Sequence, residues 1–395
     1  MSNPVVILGT ARTPLGGFQG DLSSFSAPDL GGAAIKAAVA RSDINGAPVD
    51  EVIFGCVLPA GLGQAPARQA AIAAGLGVGT PSTTVNKMCG SGMAAVMLAH
   101  DGLHVRPGSL VVAGGMESMS NAPYLLPKAR SGLRLGHAAV FDHMFLDGLE
   151  DAYDRGRLMG TFAEDAAEAY QFTRAEQDSY ALASLTRSRA TAKAGGFAGE
   201  IVALEVSSRS GVRSISADEQ PAKANPDKIP TLKSAFREGG TVTAANSSSI
   251  SDGAAALVLT TQKHAKDLRA SVRARIVATS RFAHEPAKFT SAPVEAIRRV
   301  LAAAGWERDQ VDLYEINEAF AVVPMIAMRE LKLPHEKVNV NGGACALGHP
   351  IGASGARIIV TLLAALEARG LRRGVAAICI GGGEATAVAV ETGKS

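Results

Sequence analysis

The chain has 395 residues, of which 47% are hydrophobic and 19% are charged, and these proportions predict a compact folded protein of roughly two or three structural units. The formal net charge is +2, so the charge balance excludes neither a small ligand nor a protein partner but gives no support to nucleic acid or a membrane surface. The four cysteines, at positions 56, 89, 345 and 379, include no Cys-x-x-Cys pair, which argues against a disulfide framework and against a metal site.

The start of the chain is predicted to be a strand rather than a targeting segment, because no basic start precedes a long apolar run. No apolar run approaches about 18 residues without charges or turn signals, so no membrane span is predicted. The expected location is the cytoplasm.

Short apolar runs alternate with helical patterns along the chain. The predicted strands, in order, are Val5–Leu8, Glu51–Phe54, Leu110–Ala113, Leu257–Leu259, Leu313–Ile316 and Ala376–Ile380. The predicted helices are Pro28–Arg41, Ala65–Ala74, Gly92–His100, a charged helix near Thr173–Lys193, Pro293–Ala304 and Gly352–Arg369. This alternation predicts an α/β fold with a largely parallel or mixed sheet.

An internal repeat relates the two ends of the chain. Residues 49–55 resemble residues 311–317, and each segment is followed at a similar distance by a Ser-Gly pair that starts a small-residue helix. Each helix leads to a strand that ends in glycines and a glutamate, Glu117 or Glu384. Two similar halves are therefore expected, packed about a pseudo-twofold axis that brings equivalent loops together. Such packing would gather Cys89, Asn317, His349 and Cys379.

The region between the halves has a different character. We predict a first half formed by residues 1–117 and 250–271, an inserted loop domain at 118–249 that lies over this first half, and a second half at 272–395. Inserted regions beside a site often bind the ligand.

Both central cysteines lie in glycine-rich settings. Cys89 precedes Gly-Ser-Gly and an apolar helix, so the helix N-terminus is expected to stabilise its thiolate. Cys379 ends a strand that runs into three glycines, and the N–H of Gly381 could donate to a thioester oxygen. Taken alone, each cysteine is equally compatible with a buried apolar role.

His349 and Asn317 complete the set of candidates. His349 precedes a proline inside the small-residue run 341–355, where an imidazole could take a proton from a thiol and polarise a carbonyl. Asn317 follows a strand, and its amide is interpreted either as a helix N-cap or as a group that orients a water molecule. Glu318 and Phe320 are expected to act as support and pocket wall.

At this point the motifs resemble those of a known family. Four segments, Cys89-Gly-Ser, Asn317-Glu-Ala-Phe, Gly348-His-Pro and Cys379-Ile-Gly, occur together and in the order found in thiolases. The resemblance covers essentially the whole chain. It implies a five-layered αβαβα fold with an inserted loop domain and a homotetramer built as a dimer of dimers.

The resemblance also implies roles. Cys89 would carry the acyl group, His349 would activate it and line one oxyanion hole, and Asn317 would hold a water molecule there. Cys379 would be the acid and base for the α-proton, and the N–H groups of Cys89 and Gly381 would form a second oxyanion hole. The implied reaction joins two acetyl-CoA molecules into acetoacetyl-CoA and CoA, or reverses as thiolysis. Coenzyme A is then substrate and product, with no bound cofactor and no metal.

Contacts to coenzyme A follow from the same resemblance. Ser248 matches the loop that contacts the pantetheine arm, and Met159 matches a His-Met-Gly segment whose histidine is Leu158 here. Lys223 lies where basic residues meet the nucleotide phosphates. Phe289 falls in the loop that limits acyl size, which favours a short-chain substrate with room for a 2-methyl branch, although core packing explains that ring equally well.

Other functions remain open from the residues. A longer-chain 3-ketoacyl-CoA thiolase would share all four motifs and differ in its pocket walls. A decarboxylating ketoacyl synthase is disfavoured by Cys379, and a non-catalytic scaffold is disfavoured by the intact set of four. No ligand spacing supports a cysteine/histidine metal site.

Overall fold

The computed structural model describes residues 3–208 and 211–393. Its strands are β1 Val5–Arg12, β2 Gly16–Gly17, β3 Glu51–Gly55, β4 Ser82–Val85, β5 Val111–Ser118, β6 Tyr124–Leu125, β7 Phe141–Asp142, β8 Leu204–Ser208, β9 Gly211–Ile215, β10 Ser251–Thr261, β11 Ala274–Ala283, β12 Leu313–Ile316, β13 Arg373–Ile380 and β14 Glu384–Thr392. Its helices are α1 Ala27–Ala40, α2 Pro66–Ala73, α3 Ser91–Val105, α4 Met159–Ala169, α5 Arg174–Lys193, α6 Glu219–Lys223, α7 Gln262–Leu268, α8 Ala292–Ala304, α9 Val322–Leu331, α10 Ala344–Leu347 and α11 Ile351–Arg369. All of the predicted strands and helices are confirmed.

One mixed sheet organises the molecule. Its strand order is β12-β13-β14-β11-β1-β10-β5-β3-β4, and β2 pairs with β10. Strand β3 runs parallel to β4 and β5, and β12 runs parallel to β13, whereas the other neighbours are antiparallel. The sets β3-β5-β10-β1 and β12-β13-β14-β11 follow the same order, as the sequence repeat leads one to expect. They meet in a short antiparallel pair between β1 and β11.

The helices form three layers around these two sets of strands. Helices α3 and α11 pack against each other, and their apolar side chains share one buried cluster with strands of both sets. Helices α1 and α2 cover the outer face of the first set, and α8 and α9 cover the outer face of the second. The result is the five-layered αβαβα arrangement that the resemblance implied.

Helix α11 lies in the middle helical layer together with α3, and its first turn begins at Ile351. It is the one helix of the described chain that is long and apolar enough to cross a bilayer, yet 83% of its most apolar 18-residue stretch is buried inside the protein. Its length and composition are therefore those of a core helix. Neither α3 nor α11 has a side-chain cap from its own N-cap residue, so their first-turn N–H groups have to find other partners.

The inserted region contacts both halves. Phe162 and Tyr180 join the buried cluster formed with α8 and α9, while Leu204 and Ile215 join the cluster beneath α1 and α2. The expectation that it lies over the first half therefore needs correction. Helices α4 and α5 bury apolar side chains against the second half, which places the start of α4 beside the loops that follow β12 and β13.

Candidate active site

A cavity of about 390 Å³ lies where loops from the two halves meet. Four of the five predicted catalytic residues line it: Cys89, His349, Cys379 and Gly381. The motifs are far apart in the sequence, and the packing of the two halves brings three of the four residues that the repeat predicted to meet, Cys89, His349 and Cys379, to this cavity, whereas Asn317 is not among the residues that line it.

Cys89 lies in a strained turn just before α3. The preceding Met88 has φ of +46°, in the left-handed region, and Gly90 follows Cys89 before the helix begins. A Cβ on Gly90 would lie 2.3 Å from the Cδ1 atom of Ile380, so a larger residue here would require the Ile380 side chain at the end of β13 to shift. This contact between the turn and the end of β13 sets Cys89 beside Cys379.

The resting thiol of Cys89 is neutral at physiological pH. Burial raises its pKa to about 11, although its own N–H and the N–H of Gly381 both point toward the sulfur and oppose that rise. The expected stabilisation of a thiolate by the helix N-terminus is therefore wrong for the free protein, because the loss of solvation outweighs the two N–H groups. A general base has to take the proton before the sulfur can attack.

Cys379 is the more deeply buried of the two thiols. It is 1% exposed, and burial raises its pKa well above the usual range, an effect that the neighbouring Cys89 increases. A thiolate formed at this position during a reaction is consequently a strong base.

His349 has one occupied and one open ring nitrogen. Its Nδ1 atom lies 2.6 Å from the hydroxyl oxygen of Ser354, and that hydroxyl lies 2.9 Å from the carbonyl oxygen of Pro350. Because the single hydroxyl proton of Ser354 is donated to Pro350, Nδ1 carries the hydrogen and Nε2 carries the lone pair. Nε2 is buried and has no partner among residues 3–208 and 211–393.

The charge state of His349 fits this arrangement. Burial, and to a smaller extent the positive charge of Arg357, lowers its pKa to about 3. The imidazole is therefore neutral over the physiological pH range, with Nε2 available to accept a proton from a thiol in the cavity.

Asn317 does not line the cavity, but it shortly precedes Ala319 and Phe320, which do. Its backbone N–H donates to the carbonyl oxygen of Ala377 at 2.9 Å, while both polar atoms of its side chain are buried with no hydrogen-bond partner in the described part of the chain. Helix α9 starts only at Val322, after Ala321 as its N-cap, so the alternative N-cap interpretation of Asn317 is wrong. A buried amide with free donor and acceptor suits an ordered water molecule.

The neighbouring Glu318 is a structural anchor. Its carboxylate accepts hydrogen bonds from Tyr180, Ser184, the side chain of Asn339 and the N–H of Cys345, at 2.8–3.0 Å. These contacts hold the Asn317 loop against α5 and α10. The backbone of Cys345 is one of the donors, so this residue has a structural role.

The predicted contacts to coenzyme A and the acyl group divide into two sets. Ser248, Met159, Phe289 and Phe320 line the cavity, and the rings of Phe289 and Phe320 meet edge to face at 6.4 Å. Lys223 lies elsewhere, on α6, where its ammonium group pairs with Glu219. Leu158 is the N-cap of α4 and offers no side-chain hydrogen bond to it.

Sequence reasoning missed one wall of the cavity. Residues 146–153 form it and include the acidic side chains of Asp147, Glu150 and Asp151. Glu384 also lines the cavity, and it pairs with Lys87 from the turn before Cys89. The repeat singled out Glu384 but not its partner, and the 146–153 segment carries no motif that could have identified it.

Comparison with protein families gives a consistent result over nearly the whole chain. Residues 5–263 match the family model described as "Thiolase, N-terminal domain", and residues 270–392 match "Thiolase, C-terminal domain".

Individual proteins of known name are similar at full length. The chain is 52% identical to "Acetyl-CoA acetyltransferase 2" of Arabidopsis thaliana over 391 residues, which is 98% of this chain and 96% of that protein. It is 47% identical to "Acetyl-CoA acetyltransferase" of Pseudomonas aeruginosa, over 97% of this chain and 98% of that protein. The crystal structure of the Bacillus anthracis acetyl-CoA acetyltransferase superposes with a TM-score of 0.95 at 39% identity, covering 99% of both chains.

Proposed function

This chain belongs to the thiolase family, and from that premise we propose how its own residues perform the reaction. It is an acyltransferase with acetyl-CoA C-acetyltransferase activity, which joins two molecules of acetyl-CoA into acetoacetyl-CoA and CoA. The observation that carries the proposal is a single cavity in which two thiols meet a neutral histidine with an open Nε2 atom. That set supplies a nucleophile, a base for it and a second proton carrier.

In the first half-reaction the sulfur of Cys89 attacks the carbonyl carbon of acetyl-CoA, and its proton passes to Nε2 of His349. The N–H groups of Cys89 and Gly381 face the sulfur, and they hold the oxyanion that forms on the carbonyl oxygen. When the tetrahedral intermediate collapses, Cys379 gives its proton to the departing CoA sulfur. The products are acetyl-Cys89, CoA and the thiolate of Cys379.

In the second half-reaction that thiolate removes the α-proton of another acetyl-CoA. The enolate oxygen is stabilised by His349, now protonated, and by a water molecule held on the free amide of Asn317. The α-carbon attacks the carbonyl of acetyl-Cys89, and the released sulfur takes back the proton from His349. Every group returns to its starting state, and thiolysis follows the same steps in reverse.

The acyl end of the cavity favours a short chain. Phe289 is 3% exposed, and its ring meets Phe162 and Phe320 edge to face, each at 6.4 Å, so two neighbouring rings hold Phe289 in the cavity wall. We infer that acetoacetyl-CoA, with or without a 2-methyl branch, fits better than longer 3-ketoacyl-CoA. A higher kcat/KM for thiolysis of a ten-carbon substrate than for acetoacetyl-CoA would instead favour a longer-chain thiolase.

We infer that Ser248 and Met159 contact the pantetheine arm, because both line the cavity: the N–H of Ser248 bonds to Ala319 beside Phe320, and the sulfur of Met159 lies close to Gly381.

Substitution of the nucleophile tests the mechanism. Cys89→Ser should abolish thiolysis of acetoacetyl-CoA without changing the thermal unfolding of the protein. Cys345→Ser provides the matched control, since Cys345 is a half-buried thiol outside the cavity. Thiolysis that persists in Cys89→Ser at the rate of the control would overturn the mechanism.

Assembly as a homotetramer is also proposed. The segment that carries β6 and β7 exposes large apolar side chains, including Leu135 at 98% and Tyr124 at 68% exposure, which supports burial against other copies of the chain. Light scattering should give the mass of four chains, and a monomer at micromolar concentration would contradict the proposal.

A further inference from the structure

One buried carboxylate near the active site has no place in the mechanism above. Glu117 lies near the end of β5 and is fully buried. Its Oε2 atom accepts the N–H groups of Val57 and Gly352, both at 2.9 Å. Its Oε1 atom accepts the N–H of Leu58 at 3.1 Å and faces the thiol of Cys56 at 3.5 Å.

These donors belong to two separate parts of the site. Val57 and Leu58 follow β3 and pack in the apolar cluster that also contacts Cys89, so they form the floor beneath the nucleophile. Gly352 is in the first turn of α11, three residues after His349. The carboxylate of Glu117 therefore accepts hydrogen bonds both from the loop that packs near Cys89 and from helix α11, which begins just after His349.

The close approach of these elements depends on glycine. A Cβ on Gly352 would lie 2.6 Å from Oε2 of Glu117, and a Cβ on Gly115 would lie 2.0 Å from the carbonyl oxygen of Gly352. The first turn of α11 thus rests directly on the backbone of β5. We call this contact between α11 and β5 the junction. Glu117 supplies its hydrogen-bond acceptor, and the two glycines allow the close approach because they have no Cβ.

The four donors favour the ionised form of the Glu117 carboxyl group. All of them are uncharged, and all point at the two oxygens of Glu117. A proton on either oxygen would face an N–H or S–H donor, so the carboxylate form is the one that satisfies them. Burial raises the pKa of Glu117 to about 7, and the N–H groups of Val57, Leu58 and Gly352 oppose that rise.

We propose that Glu117 is a positioning residue of the thiolase reaction, which fixes the distance between Cys89 and His349 by serving as the shared acceptor for the Val57–Leu58 loop and the N-terminus of α11. The proposal rests on the function assigned above, because it assumes that Cys89 and His349 exchange a proton. Glu117 touches neither substrate nor reacting atoms.

Glu117→Gln is the direct test. The amide places an NH2 group against N–H donors, so the junction opens, and a displacement of about 1 Å costs on the order of 10²-fold in rate. We expect kcat for thiolysis to fall by about this factor while KM changes by less than about threefold, because Ser248, Met159 and Phe289, the proposed contacts of the substrate, make no hydrogen bond to Glu117.

A second readout is the alkylation of Cys89 by iodoacetamide as a function of pH. The negative charge of Glu117 makes a small contribution to the raised pKa of Cys89, and among the described residues the titratable side chain in contact with Glu117 is Cys56. Removing that charge in Glu117→Gln should shift the alkylation profile to lower pH. A purely structural role would leave the profile in place.

Glu164→Gln is the matched control. Glu164 is a buried carboxylate that accepts the N–H groups of Thr241 and Val242, both at 2.8 Å, outside the active-site cavity. This variant should lose stability in a similar way but keep the alkylation profile and most of the kcat of the native protein.

The proposal is overturned if Glu117→Gln keeps native kcat, or if it loses no more kcat than Glu164→Gln and shows an unshifted profile. If Glu117→Gln does not fold, Glu117→Asp takes its place, because the shorter side chain cannot reach both sets of donors; native kcat in that variant overturns the proposal equally. Failure of the assigned function is separate, since it would appear as thiolysis by Cys89→Ser.

Discussion

Replacing Asn317 by alanine should separate catalysis from folding. The side-chain amide of Asn317 forms no hydrogen bond with the described protein, so its removal breaks no protein contact and should change the unfolding temperature by no more than about 2 °C. Its proposed role is to hold a water molecule against the enolate oxygen. Loss of one oxyanion-hole donor typically costs about 10²–10³-fold in kcat, and we expect that loss in thiolysis of acetoacetyl-CoA.

The acylation half-reaction should respond differently. It uses the N–H groups of Cys89 and Gly381 rather than Asn317, so the burst of CoA released on mixing Asn317→Ala with acetyl-CoA should keep its amplitude. A stopped-flow assay of free thiol measures the burst, and steady-state assays measure turnover.

Asn339→Ala is the matched control, because Asn339 is a buried asparagine with every side-chain group in use. Its Nδ2 donates to Tyr180, Ile316 and Glu318, and its Oδ1 accepts the N–H of Ile316, at 2.8–3.1 Å. Two donated bonds, shared among three acceptors, and one accepted bond at about 1 kcal/mol each predict a loss of about 3 kcal/mol in the free energy of unfolding. Native turnover in Asn317→Ala, or destabilisation equal to that of Asn339→Ala, would refute the reasoning.

Three further predictions follow from the geometry of the site. Ser354→Ala removes the acceptor of the Nδ1–H group of His349, and kcat should fall about fivefold or more, the value of one hydrogen bond of about 1 kcal/mol; an unchanged kcat would show that Ser354 does not orient the ring. Phe289→Ala opens the aromatic wall and should raise kcat/KM for six-carbon over four-carbon 3-ketoacyl-CoA by about tenfold or more, whereas an unchanged ratio would place the limit on chain length elsewhere. Because the pKa of Cys89 is raised to about 11, the protonated thiol dominates below that pH, and alkylation by iodoacetamide should keep accelerating from pH 7 to pH 9.5; a plateau below pH 8 would contradict this.

The fold was predictable wherever the periodicity was strong. Short apolar runs predicted the inner strands, and helices with regular apolar spacing were found within a few residues of their predicted ends. Strand β14 escaped prediction because its buried positions mix alanines and valines with threonines and a glutamate, which gives a weak apolar signal. Helix α9 escaped because Pro324 interrupts an otherwise apolar run, yet proline fits within the first turn, where its missing N–H costs nothing.

The residues of the site could be predicted from the sequence, but their protonation states could not. The repeat and the glycine-rich motifs identified the side chains that meet in the cavity. Depth of burial decides the pKa of Cys89, and that depth depends on loops from both halves that no local pattern describes. The tautomer of His349 likewise depends on Ser354 and Pro350, whose relation appears only once α11 begins at Ile351.

The most direct test of the central claim is to locate the acyl group on the protein. The native protein, mixed with acetyl-CoA in the absence of free CoA and quenched in acid, should carry one acetyl group on the peptide that contains Cys89, and later addition of CoA should remove it. Mass spectrometry of the digested protein gives the position. An acetyl group on Cys379 or Cys345 instead, or no acetyl group in a protein that is active in thiolysis, would contradict the account.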